Sequence, residues 1–132
     1  MSYSDESTQI QNRFKSLIGT TPVEYPNISL TPTPSVLWVR LTVLNGESRQ
    51  TTIGETTNNH RMVGLIVVQI FGEKNKGNSE TLAMADAVAA IFRNWCGSTV
   101  RCQAATVKEV GPDGLGRYQV NVSVPFKRDE LL

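Results

Sequence analysis

Few residues in this 132-residue chain could do chemistry, and their spacing is informative. The one histidine, His60, stands in Asn58-Asn59-His60-Arg61, with no second histidine and no nearby cysteine to complete a zinc set. No serine occupies a G-x-S-x-G elbow, so nucleophilic catalysis has no local signature. Cys96 and Cys102 form neither a C-x-x-C pair nor part of a metal-ligand set, and they read as plain buried or half-buried thiols. Neither G-x-x-x-x-G-K-[ST] nor G-x-G-x-x-G is present. Gly111, Gly114 and Gly116 join two predicted strands, where no helix N-terminus could receive a phosphate, and read as a hairpin turn. The expectation is a chain with no catalytic, cofactor or metal residues.

Four of the eight arginines and the two tryptophans call for separate weighing. Arg40, Arg49, Arg61 and Arg101 read either as solvated charges or as interface residues, arginine being enriched where proteins meet. Arg40 lies mid-strand between Val39 and Leu41, so it must face solvent, a carboxylate or a neighbouring molecule. Trp38 shares its strand face and is expected to stand uncovered on the outer side of the sheet, in want of a partner. Trp38, Arg40, Arg49 and Arg61 are therefore the candidate interface residues.

The elements that position them follow from periodicity. Ser4-Asp5-Glu6-Ser7 offers caps and early negative charge to a helix whose Ile10, Phe14, Leu17 and Ile18 share a face, with Gly19 as its stop. Val23-Glu24-Tyr25, between two prolines, can be only an edge strand. Asn27 to Ser35, with Pro32 and Pro34, reads as an extended arm. From Val36 to Leu44 the pattern alternates, Leu37, Val39, Leu41 and Val43 on one face and Trp38, Arg40 and Thr42 on the other. Asn45-Gly46 is a turn signal, Arg49 to Ile53 a weak returning arm, and Glu55 to Arg61 an exposed loop, so Asn45 to Arg61 is expected to project from the sheet. Met62 to Phe71 is apolar on both faces, as in a central strand covered on both sides. Gly72 to Asn78 reads as a loop. A second helix capped by Ser79 buries Leu82, Ala85, Val88, Ala89, Phe92 and Trp95, with Gly97 as its end. Val100 to Val110 and Tyr118 to Phe126 are strands joined by Gly111-Pro112-Asp113-Gly114, the second with Tyr118, Val120, Val122, Val124 and Phe126 on one face.

The chain thus predicts one α+β domain over residues 1–132, a mostly antiparallel sheet with two helices on one face, and residues 1–8 and 127–132 as flexible termini. Arg128 to Leu132 reads as a solvated tail. A net charge of +1 disfavours broad nucleic-acid binding. Val63 to Phe71 is too short for a membrane span, and MSYSDESTQ lacks a signal peptide's regions, so cytosolic synthesis is expected. More apolar sheet surface than two slim helices can cover implies that neighbouring copies hide the rest.

Several segments, in this order, resemble the tail terminator (tail completion) proteins of long-tailed bacteriophages and prophages: Arg13-Phe14, Pro26-Asn27, Trp38-Val39-Arg40, His60-Arg61 with Gly64 and Val68-Gln69-Ile70-Phe71, Asp86 to Arg93, and Tyr118 to Phe126. The resemblance implies a structural virion protein without cofactor, assembled in the host cytoplasm as a hexameric ring of identical copies. Such a ring binds the finished end of the tail tube, stops further addition, and presents a surface to the head–tail connector protein, with DNA only passing through its lumen. Another virion ring protein, a connector or a tube subunit, fits a small α+β design too. From a different class, a small hydrolase or ligand-binding domain would need a pocket around His60 and a nearby acid.

Overall fold

The computed structural model describes residues 3–19, 21–28, 36–54, 56–73, 77–112 and 117–132. Residues 29–35 of the expected arm, 74–76 of the expected loop and 113–116 of the expected turn lie outside them. Helix α1 (Tyr3–Leu17) leads into strand β1 (Val23–Glu24), then β2 (Trp38–Gln50), β3 (Asn59–Glu73), helix α2 (Ser79–Phe92), β4 (Val100–Cys102), β5 (Thr106–Pro112) and β6 (Arg117–Leu131). The sheet order is β1-β2-β3-β6-β4, with β5 also paired to β6. Every pairing is antiparallel except β1 with β2. This is the predicted α+β domain, two helices on a mostly antiparallel sheet.

The period-two pattern decides which face is covered. Val39 and Leu41 of β2, Ile66, Val68 and Ile70 of β3, and Val120, Val122, Val124 and Phe126 of β6 are all 2% exposed or less. They meet Ala85, Val88 and Phe92 of α2 and Ile10 and Phe14 of α1. Phe14 and Phe92 stack with their centroids 6.0 Å apart, joining the helices. Gly64 lies under the Phe126 ring: a Cβ there would sit 2.5 Å from Phe126 Cζ and 2.8 Å from the Leu44 carbonyl, so the close approach of β3 and β6 needs glycine. Val23-Glu24 is indeed an edge strand.

Several local expectations are corrected. Asn45-Gly46 makes no turn; β2 runs on to Gln50 with a register shift between Asn45 and Ser48, so the pair sits at a bulge. Asn59, His60 and Arg61 belong to β3, because Gln50 and Arg49 on one side and Glu130 and Asp129 on the other offer a ladder there. Residues 127–132 are no solvated tail: β6 continues to Leu131. At the other end α1 begins at Tyr3, and Leu17 on its expected buried face is exposed. α2 ends at Phe92, five residues before Gly97, with Asn94 in the left-handed region at φ 54°. Its N-cap is Asn78, which makes no side-chain cap bond. The long strand expected from Val100 splits into β4 and β5, both served by β6. β3 is central, yet the helices cover only one of its faces.

Candidate functional site

The face of the sheet away from the helices carries the four candidate interface residues, and ladder register places them in rows. Trp38 lies opposite Phe71, Arg40 opposite Gln69, Thr42 opposite Val67 and Leu44 opposite Leu65 on β3. β6 extends those rows with Gln119, Asn121, Ser123 and Pro125. Arg49 lies opposite Arg61, and Arg61 opposite Asp129, at the far end.

At the near end an aromatic cluster forms. Trp38 stacks on Phe71 at 4.5 Å between centroids, and the Arg40 guanidinium lies 5.5 Å from the Trp38 ring and 5.3 Å from that of Phe71. Arg40 also pairs with Glu24 of β1 and donates to Gln69 Oε1 at 3.4 Å. The expectation that Trp38 stands uncovered is corrected: it is 6% exposed, because Phe71 and Arg40 of its own chain cover it. Its indole Nε1 is buried with no hydrogen-bond partner among the described residues.

The middle of the face is apolar and open. Leu44 is 51% and Val63 42% exposed, and Leu65 and Val67 are half-buried. At the far end Arg61 makes a two-pronged bond to Asp129, Nε to Oδ1 at 2.8 Å and Nη2 to Oδ2 at 3.2 Å. That bond holds the Asp129 carboxyl below its usual range and raises Arg61. Arg49 reaches Glu47 only at 3.9 Å and is largely solvated. A cleft of about 140 Å³ lies among Glu47, Arg49, Thr51, Arg61 and Val63. The structure therefore brings Trp38 to Arg40 and Arg49 to Arg61, but leaves the two pairs at opposite ends of one face.

The other sequence candidates are separate from it. His60 sits in β3 opposite Gln50 and Glu130 rather than in a loop. Among the described residues no group of three or more His, Cys, Asp or Glu could hold a metal ion. Cys96 and Cys102 are free; Cys96 is exposed rather than buried, and burial, with Cys96 nearby, pushes the Cys102 thiol up to about 12, so it stays protonated and unreactive at neutral pH. No helix among the described residues is long and apolar enough to cross a membrane.

Sequence reasoning missed a buried charge cluster. Arg128, its side chain 0% exposed, donates from Nε to Glu6 Oε1 at 3.1 Å and from Nη1 to Glu130 Oε2 at 2.7 Å. The Tyr3 ring lies 5.0 Å from the guanidinium. The signal was present: Arg128 is in phase with Val120, Val122, Val124 and Phe126, so the strand pattern already aimed it inward.

Comparison with known proteins accords with this architecture. A solved structure whose name carries no functional word has a TM-score of 0.74 to this chain, covering 97% of it and 96% of its own length at 17% identity, which shows a shared fold. No curated protein matches. The family model for the phage tail terminator protein matches residues 8–126, nearly the full span of helices and strands above. The chain is thus a structural component of a phage tail, and it belongs to the phage tail terminator family.

Proposed function

We propose that this protein forms a homohexameric ring that caps the finished tail tube at its head-proximal end, stops tube polymerisation, and offers the surface to which the head–tail connector protein joins. Besides membership of the family, the observation that carries this reading is the open apolar strip of Leu44, Val63, Leu65 and Val67 on the helix-free face. An exposed strip bounded by polar residues is the kind of surface proteins use to meet one another. No catalytic step or cofactor belongs to the role, and DNA only passes through the lumen, in keeping with a net charge of +1.

The candidate pairs then take separate duties. Arg49 and Arg61, at the far end of the strands, contact the ring neighbour or the tube; Trp38 and Arg40 lie at a subunit–subunit face. The decisive experiment measures mass across a concentration series, alone and with isolated tail tubes. A closed ring of six copies seated on tube ends is expected. Long self-assembled tubes would instead mark a tube subunit, and failure to bind tubes at any concentration would remove the reading. A monomer seen only at low concentration is compatible with mass action. Reversing the charge at Arg49 and Arg61 together should alter ring mass or tail length; if both stay unchanged, those residues are not at the contact.

A further inference from the structure

The two outer boundaries of the sheet are both unfinished. β1 covers only Val39 and Arg40 of β2, and among the described residues no strand lies beyond Leu41 to Gln50 on that side. Val39 donates its amide outward to the Pro22 carbonyl at 3.0 Å. Backbone direction alternates along a strand, so Leu41, Val43 and Asn45 also turn their amides and carbonyls outward, where no described strand receives them. On the opposite boundary β5 pairs β6 on one side only, and its Val107 and Val110 are 40% and 47% exposed. A long strand edge left open is a template for another chain.

We infer that the ring contact is the joining of these two edges, β5 of one copy pairing with the Leu41–Gln50 edge of β2 in the next, so that the sheet continues from subunit to subunit. The inference rests on the ring proposed above and names its contact. Three observations favour a second copy as the occupant. β2, β3, β6 and β5 alternate in direction, so a neighbour's β2 beside β5 keeps the antiparallel alternation unbroken. Neither edge has net charge to repel the other, Glu47 and Arg49 balancing on β2 and Lys108 and Glu109 on β5. Finally, a head-to-tail contact covers both edges in every copy, whereas a two-fold contact of β2 with β2 closes at a dimer and leaves β5 open.

The offset is also that of a closed sheet. Through β6 and β3, Thr106 lies level with Thr42 and Glu109 with Val39, the part of β2 nearest β1. Reaching the open part needs a stagger of about five residues, roughly 17 Å, across four strand spacings of roughly 19 Å in all. The strands would then tilt by about 40° to the ring axis, within the range for closed barrels.

The test uses the full-length chain. Asn45→Pro removes an outward amide and spares the ladder to β3, while Val107→Lys places a guard charge on the β5 edge. Each variant alone should lose the ring and run as a monomer, with far-UV dichroism like wild type and a urea midpoint close to that of wild type diluted until it too is monomeric. Mixed, they should give a dimer and nothing larger, since each supplies the edge the other lacks. Rings formed by both single variants would overturn the edge contact and leave the ring standing. A Val107→Lys dimer on its own would overturn it in favour of the two-fold contact. A wild-type chain that stays monomeric with and without tubes would overturn the ring itself, and this contact with it.

Discussion

The two faces of one sheet differ more than any two separate parts of the molecule. On the helix side the residues of β2, β3 and β6 interlock with α1 and α2 and are almost wholly removed from water. On the other side the same strands present an aromatic clamp, an apolar middle and a charged far end, with Leu44 half in solvent. The first face makes the chain fold; the second leaves an apolar strip open to solvent. Because side chains alternate along a strand, one stretch of sequence encodes both functions without either disturbing the other.

That contrast can be broken from the covered side first. Glu6→Ala should cost the most, about 3–5 kcal/mol in urea unfolding, by leaving Arg128 buried without its longest-range partner; Glu6→Leu with Arg128→Met should recover most of that loss. Val68→Ala, deep on the same face, should cost about 2–3 kcal/mol by opening a cavity. Gly64→Ala should cost about 1–3 kcal/mol by pushing the Phe126 ring and the Leu44 carbonyl aside. On the open face, Leu44→Thr should move monomer stability by less than about 0.5 kcal/mol yet weaken self-association in sedimentation. The smallest effect sharpens the comparison through pH. Asp129 has its folded value depressed below the usual 3.8, so its bond to Arg61 stabilises fully above that value and fades as pH falls through the lower, folded one. Asp129→Asn and wild type should therefore differ slightly in urea midpoint at pH 6 and converge in strong acid.

The covered face was readable from the residues because burial leaves a periodic trace. Ile10 and Phe14, the even residues from Tyr118 to Phe126, and most of the stripe on α2 needed only spacing to be found. The far ends of β2, β3 and β6 are harder to read. Asn45-Gly46 has the composition of a tight turn, but turn chemistry is local, while β3, held on its other side by β6, offers ladder partners well past it. Arg128 was hidden by its charge: a polar C-terminal run looks solvated until Glu6, 122 positions away, is brought beside it. Trp38 and Arg40 were placed on the correct face, yet their mutual contact with Phe71 depends on register between strands, which spacing within one strand does not contain.

The strand at the heart of the hydrogen-bonded network comes after every strand it binds in chain order. β6 alone binds β3 on one side and both β4 and β5 on the other. Until residues 117–131 leave the ribosome, β3 lacks one of its two neighbours, β5 has no described strand to pair with, and α1 lacks the guanidinium that anchors Glu6. A translation product cut short before them cannot complete the sheet, so a truncated chain would fail at its own folding rather than persist as a near-native species.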